Sequence, residues 1–289
     1  MDTLDTQFVP GYDDPAHSVD MARRFGGIAR LYGADALARF QQAHVCVVGV
    51  GGVGSWIVEA LARSAVGQLT LIDLDNVSES NINRQIMANT DTIGQPKVDA
   101  LAERIARINP YCRVERVEDF IGPENLEQLI AGKGFDYVVD AIDSVKAKAA
   151  LIAWCRDHRM PLVTIGSAGG QVDPTQIAIR DLARTEQEPL LKMVRKRLRS
   201  QYGFPRGEKT KFHVDAVFSM ERLTPPQGED ACAIDGVTGL NCAGFGSAMV
   251  VTATFGMVAA SHVLRHLAAP GVAAPAHGSA GQDSAAALS

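Results

Sequence analysis

Four glycines stand in the stretch VCVVGVGGVGSW: Gly49, Gly51, Gly52 and Gly54. An apolar, strand-like run leads into them and a helix-forming run leaves them. A chain that turns this way aims the open N–H groups of a helix start at phosphate. Gly49, Gly51 and Gly54 fit G-x-G-x-x-G, and Asp73 closes the next apolar run, where it could accept from a ribose hydroxyl. That spacing alone suggests a dinucleotide cofactor, but the residues beyond it point elsewhere. LIDLDNVSESNINRQI and GQPKVDAL supply Asp75, Asn81, Arg84, Gln85 and Lys97 close to the same turn. The pyrophosphate of a redox cofactor is handled by backbone N–H groups and the helix dipole, and needs no such array. An arginine and a lysine beside the glycines suit a triphosphate whose leaving pyrophosphate gathers charge. The residue types therefore favour ATP, with a NAD-dependent oxidoreductase as the rival. Asp75 or Asp143 could hold Mg²⁺, a hard ion that takes oxygen ligands. Asp143 also stands where an aspartate caps a helix opening near Ser144.

The elements that must position these residues alternate. HVCVVG reads as a strand, SWIVEALARSA as a helix and QLTLIDLD as a strand. KVDALAERIARIN has apolar residues at helical spacing and stops at Pro110. CRVERVEDF, FDYVVDAID and PLVTIG continue as strands, separated by the helices PENLEQLIAG and AKAALIAWCRDHR. This rhythm predicts an α/β fold: a Rossmann-like, mostly parallel sheet with helices on both faces. After Gly166 it changes. TQIAIRDL and FHVDAVFSMERL read as strands that extend the sheet in antiparallel fashion through the C-terminal half.

Composition sets limits. The chain has 289 residues, 46% hydrophobic and 21% charged, which is ordinary for a globular protein. A net charge of -5 gives no global case for nucleic-acid binding, so any basic site must be local. One local candidate exists: residues 192–211 carry eight Lys or Arg against one Glu and read as a basic insertion. The five cysteines form no C-x-x-C pair, which argues against a disulfide framework or a four-thiolate zinc site and suits a reducing, cytoplasmic setting. FGSAMVVTATFGMVAASHVL is long and uncharged, but it is rich in Gly, Ala, Ser and Thr. We read it as a buried helix, with no stable membrane span. Residues 1–20 are expected to be a flexible segment, 21–268 one nucleotide-binding domain and 269–289 a disordered tail.

GVGGVGSW, LIDLDNVSESNINRQ, GQPKVDAL and DAIDS together resemble the ubiquitin-activating-enzyme-like (ThiF/MoeB-type) adenylyltransferases, over about Arg24 to Gly166. The resemblance implies a Rossmann-like ATP site, a homodimer, and transfer of AMP onto a carboxylate. It implies that the glycine turn and Asp73 bind ATP and that Asn81, Arg84 and Lys97 contact the phosphates. Asp143 would serve metal and nucleotide, making Arg84, Lys97 and Asp143 the catalytic candidates. Many members use an arginine of an R-x-x-R-Q stretch to reach the partner subunit's ATP; RFGGIARLYG offers Arg24 or Arg30. Sulfur-carrier-activating members hold structural zinc with two C-x-x-C pairs that this chain lacks, so no structural zinc is expected.

RFGGIARLYG, ERIARINPYCRV, DAIDSVKAKAALIAWCR, PLVTIGSAGGQVDPTQI and MVVTATFGMVAASH further resemble the tRNA threonylcarbamoyladenosine dehydratases, nearly to His266. This implies ATP-dependent cyclisation of a modified nucleoside beside the tRNA anticodon, through adenylation of its threonyl carboxylate. An internal nucleophile then closes the ring, so neither Cys232 nor Cys242 is needed as an acyl carrier. With RNA as substrate, Lys192, Arg195, Lys196, Arg197 and Arg199 become phosphate contacts. Phe204 and Phe212 become stacking platforms, and the GSAGGQ loop becomes a grip for the threonyl group. The other reading in this superfamily activates a ubiquitin-like or sulfur-carrier protein, with a cysteine desulfurase or sulfur acceptor as partner.

Overall fold

The computed structural model describes residues 19–207, 209–225 and 245–270. The segment expected to be flexible (all but residues 19 and 20), the expected disordered tail (all but 269 and 270), Cys232 and Cys242 lie outside them.

Seven strands form one sheet in the order β3-β2-β1-β4-β5-β7-β6. In sequence they are β1 (His44–Val48), β2 (Gln68–Ile72), β3 (Arg113–Val117), β4 (Tyr137–Asp140), β5 (Leu162–Ile165), β6 (Ile177–Asp181) and β7 (Asp215–Ser219). All pairings are parallel except β6 with β7, so β7 continues the parallel sheet and β6 is its antiparallel edge. The helices are α1 (Met21–Tyr32), α2 (Ala34–Gln42), α3 (Gly54–Arg63), α4 (Lys97–Ile108), α5 (Leu126–Ile130), α6 (Val145–Asp157), α7 (Pro189–Gln201) and α8 (Met249–Ala268).

Alternation along β1 explains the layers. Val45 and Val47 point into a core shared with α2, α3, α4 and α8, while Cys46 and Val48 point into one shared with α5 and α6. A strand buried on both faces must be apolar throughout, as HVCVV nearly is. The exception, His44, is satisfied through its Nε2, 2.8 Å from Thr70 Oγ1.

Two stretches take places that composition alone does not give. The uncharged C-terminal segment is α8, with Phe255, Ala259, Ala260 and Val263 buried in the core. At Gly256 a Cβ would lie 2.6 Å from Trp56 Cβ, so α8 can lie this close to α3 only because the residue is small. Among the described residues no helix is long and apolar enough to cross a membrane. The basic run, expected as an insertion, is instead largely a helix of the core. Leu190, Leu191, Val194 and Leu198 of α7 are buried against α6, β6 and β7, and the charges ride on its other face. Phe204 and Phe212, expected as platforms for bases, are each 3% exposed and packed edge to face on one another at 4.9 Å. Arg156 and Arg199 cover their remaining faces, so neither ring can stack on a base.

Candidate active site

Strand β1 hydrogen-bonds β2 on one side and β4 on the other. The chain therefore leaves β1 toward β2 and β3, then returns to build outward from β4. Such a reversal leaves a crevice at the carboxyl ends of the strands, where open α/β sheets bind ligands. A cavity of about 500 Å³ lies there.

The glycine turn forms its floor. Gly49 takes a left-handed φ of 82°. At Gly54 a Cβ would fall 1.8 Å from the Gly49 carbonyl oxygen, so only glycine lets α3 begin this close to β1. No side chain caps α3. Among the described residues the N–H groups of Gly51, Gly52 and Val53 have no backbone or side-chain acceptor, leaving a row of donors at a helix start that faces the cavity. Such a row forms an anion cradle.

Asp73 stands at the end of β2. Its Oδ2 accepts from Val50 N at 2.8 Å and its Oδ1 from Asp75 N at 3.0 Å. Burial pushes its carboxyl above the usual aspartate range, opposed by Lys97 and by those two amides. Lys97, only 5% exposed, opens α4 and reaches 2.7 Å to Asp75 Oδ2 and 3.9 Å to Asp73 Oδ1. Asp75 and Lys97, both expected at the nucleotide, are thus paired with each other on the cavity wall. Arg84 lines the cavity beside Gly52, its Nη1 donating to the Ser80 carbonyl at 2.7 Å and to Asn83 Oδ1 at 3.0 Å. Its own carbonyl accepts from Trp56 Nε1 and Thr252 Oγ1, which ties the loop to α3 and α8. Asn81 lines the wall too, but its Oδ1 accepts from Ser78 N in a capping box.

Gln85 also lines the cavity, and its Oε1 is buried without a hydrogen-bond partner among the described residues. A buried acceptor is left unpaired only at a cost, which a bound donor would remove. Together with the open N–H row, this orphan fits a nucleotide. Asp143 lines the cavity with its side chain exposed, and the helix cap it could have made is made by Ser144, which accepts from Ala147 N. No cluster of three or more His, Cys, Asp or Glu side chains that could hold a metal occurs among the described residues. A magnesium ion held by one carboxylate and the nucleotide's own phosphates needs none.

The structure brings Gly49, Gly51, Gly52, Asp73, Asp75, Asn81, Arg84, Gln85, Lys97 and Asp143 to one cavity, with Gly54 directly beneath. The GSAGGQ loop joins them through Gly166 to Gly169. Lys192, Arg195, Lys196, Arg197 and Arg199 do not line it. Lys192 and Lys196 are exposed, whereas Arg195 is half-buried and donates to Thr185 Oγ1, and Arg197 donates to Gln201 Oε1 at 2.8 Å. Within one chain Arg24 and Arg30 stay outside the cavity as well, and Arg24 Nη1 donates to the Ile108 carbonyl at 2.9 Å.

Sequence reasoning missed several contributors. Ser247 and Thr252 enter from the start of α8, where polar residues ahead of an uncapped helix were the available signal. Leu74, Phe120, Ile121 and Ile142 add an apolar wall. Beneath the cavity, Lys148 and Asp140 are fully buried and 2.9 Å apart, with Thr164 donating to Asp140 Oδ2 at 2.6 Å. Glu188 accepts from Ser167 N at 2.9 Å and from Leu191 N, pinning the 166–169 loop to the start of α7.

Comparison with known proteins agrees with this geometry. The ThiF family matches residues 25–277. The tRNA threonylcarbamoyladenosine dehydratase of Escherichia coli is 54% identical over 86% of this chain and 94% of its own. That of Haemophilus influenzae is 53% identical over 85% and 93%. The crystal structure of the E. coli enzyme in complex with ATP superimposes with a TM-score of 0.77 at 51% identity, covering 88% of this chain and 96% of that one. An open N–H cradle at the switch point, ringed by Arg84, Lys97 and Asp143, thus occurs in a chain that belongs to the ThiF family and, within it, to the tRNA threonylcarbamoyladenosine dehydratases.

Proposed function

We propose that this protein dehydrates threonylcarbamoyladenosine next to the tRNA anticodon, using ATP to activate the threonyl carboxylate. One observation carries the reading: the N–H row from Gly51 to Val53 opens, with Arg84, into the same cavity as the Gly166–Gly169 loop. A triphosphate on the cradle would place its α-phosphorus between the glycine turn and a carboxylate held at that loop.

A carboxylate is a poor acyl donor because oxide would have to leave. Its oxygen attacks the α-phosphorus of ATP, forming the P–O bond of an acyl adenylate as the bond to pyrophosphate breaks. The neighbouring carbamoyl group then attacks the activated carbonyl, loses a proton and expels AMP, so the nucleoside loses one water overall. Ring closure within one molecule draws on proximity, worth several orders of magnitude in effective molarity. The N–H row holds phosphate oxygens, and Arg84 meets charge that develops on the leaving pyrophosphate. Lys97, fixed by Asp75 and Asp73, supplies a second positive charge at a set depth. Asp73 receives the ribose hydroxyls, and the wall of Leu74, Phe120 and Ile142 suits an aromatic base. Asp143 would hold Mg²⁺, which when bound neutralises phosphate charge; structural zinc has no part in this reading.

The RNA lies against the exposed amines of Lys192 and Lys196, whose helix brings Leu190, its second residue, to the cavity. The exposed side chains of Met249, Val250 and Met257 on α8 support a homodimer, to be checked by sedimentation. A cysteine desulfurase or its sulfur acceptor is the candidate protein partner, to be sought by pull-down. A reaction that uses ATP and tRNA supports a cytoplasmic setting.

The test incubates the purified protein with ATP, magnesium and tRNA bearing the nucleoside, then digests the RNA for mass spectrometry. A nucleoside lighter by one water, with AMP and pyrophosphate released and no carrier protein present, is the expected result. If AMP forms only when a ubiquitin-like carrier is added and the nucleoside keeps its mass, the carrier-activating reading replaces this one.

A further inference from the structure

A second cavity, of about 520 Å³, opens toward the far ends of α3 and α4. Arg24 of α1, Arg63 of α3, and Arg104 and Arg107 of α4 converge on it, and Glu103 is the sole acidic residue of its lining. Four guanidinium groups repel one another unless something holds them. Behind them, Glu59 is buried, accepting from Arg63 Nε at 2.7 Å and from Arg104 Nε and Nη2 at 2.6 and 3.0 Å. Burial pushes the Glu59 carboxyl up, but these bonds outweigh it and hold the group below the usual glutamate range. Two guanidinium planes are therefore fixed before any ligand arrives.

The uncommitted atoms define what the cavity can receive. Both Nη atoms of Arg63, Nη1 of Arg104, and Nε and Nη2 of Arg24 have no protein acceptor, and the Arg107 guanidinium has none at all among the described residues. The other polar lining side chains turn inward: Asn89 Oδ1 accepts from Asp91 N, and Thr92 Oγ1 donates to the Met87 carbonyl. The cavity thus offers fixed donors and positive charge, with few acceptors. Planar N–H forks at this density match the oxygens of phosphate. We propose that this cavity binds a phosphate group, carried by a small phosphorylated ligand or by the RNA backbone, at a site separate from the nucleotide. From Lys97 to Arg107 is ten residues of α4, roughly 15 Å at 1.5 Å per residue. The two cavities share no lining residue, so this site is distinct from the one at the glycine turn.

The small-ligand source stands whether or not the dehydratase reading holds; the RNA source rests on it. Full-length protein saturated with a non-hydrolysable ATP analogue is titrated with pyrophosphate by calorimetry, wild type beside Arg63→Ala/Arg107→Ala. With a small ligand as source, pyrophosphate binds the wild type despite the filled nucleotide site, and the variant binds it about tenfold or more weakly, each lost guanidinium removing a charge-assisted contact. In the second arm tRNA affinity is measured across a salt series. With the backbone as source, the double variant loses about tenfold in affinity and its log–log salt slope falls by about two, near 0.9 per phosphate contact. ATP affinity stays unchanged in either case. Arg107→Ala, whose guanidinium bonds nothing among the described residues, is read by the same criteria should the double variant fail to fold. If neither pyrophosphate nor tRNA binding changes by more than about twofold in a folded variant, less than one phosphate contact is worth, the cluster serves only its internal ion pairs and the proposal is wrong.

Discussion

Arg84 and Lys97 do opposite amounts of structural work. The Arg84 guanidinium bonds only within its own loop, to Ser80 and Asn83, whereas Lys97 is buried between two carboxylates. Both single alanine variants should therefore lose about 10²–10³ in turnover, the cost of one preorganised charge at a reacting phosphate. Their melting temperatures should differ: Arg84→Ala close to wild type, Lys97→Ala lower, because Asp73 keeps its burial and loses its counter-charge. Near-normal turnover in both would remove the phosphate assignment. These residues were legible in the sequence because a turn and the loop after the next strand put them near each other by local spacing. Lys148 was not legible. It sits in AKAALIAWC as an ordinary helical lysine, and only the packing of α6 on β4 and β5 shows that it is buried against Asp140.

Helices α7 and α8 show where an element's composition outweighs its pattern. In α7 the spacing of Leu190, Leu191, Val194 and Leu198 was available, but five basic residues masked it and suggested an insertion. In α8 the Gly-, Ala-, Ser- and Thr-rich composition pointed to a buried helix, and nothing in its pattern singled out the histidines. His262 Nε2 is 3.2 Å from Asp215 Oδ2, and the His266 ring packs edge to face on Tyr137 at 4.9 Å. Burial lowers both pKa values. For His262 the opposing pull of Asp215 is insufficient, and Arg265 and His266 add repulsion; for His266 only Asp136 opposes. The folded protein thus keeps these rings neutral while the unfolded chain takes up protons near the ordinary value of 6.5. Their contribution to stability is intact above that value and lost as pH falls through the depressed folded values. Melting temperature should fall between about pH 7 and pH 5. His266→Phe, which keeps a ring against Tyr137, should fall less steeply over that range. Parallel curves for the two proteins would assign the acid sensitivity to other groups.

Across the whole molecule, the strand–helix alternation was readable because each strand is short, apolar and followed by a helix signal. The place of β7 was not, since nothing local says that a late strand slips between β5 and an earlier one. The buried pair beneath the cavity ties this architecture together: Lys148 Nζ also donates to the Asp140 carbonyl and lies 3.2 Å from Thr164 Oγ1, joining α6 to β4 and β5 at the edge that floors the cavity. Lys148→Met should cost about 3–5 kcal/mol of folding stability, because the Asp140 carboxylate would stay buried without its partner. Lys148→Met/Asp140→Leu should recover most of that loss, as apolar replacements of buried pairs often do. Denaturant midpoints of the two variants separate the cases, and a double variant as unstable as the single one would show that the pair is worth more than its desolvation.

The strand order also sets a timetable. Because β6 hydrogen-bonds only β7, a chain emerging from the ribosome releases β6 as an unpaired strand and must then make all of α7 before its partner exists. The face of α3 that α8 covers waits longer still, until the last described helix has been synthesised. For most of its synthesis the nascent protein displays an apolar helix surface, joined between β6 and β7 by an unpaired strand, the two features that draw chains into aggregates. Chaperone demand should therefore peak just before residues 249–268 leave the exit tunnel, at a length where the glycine turn has been made but Thr252, which ties the Arg84 loop to α8, has not.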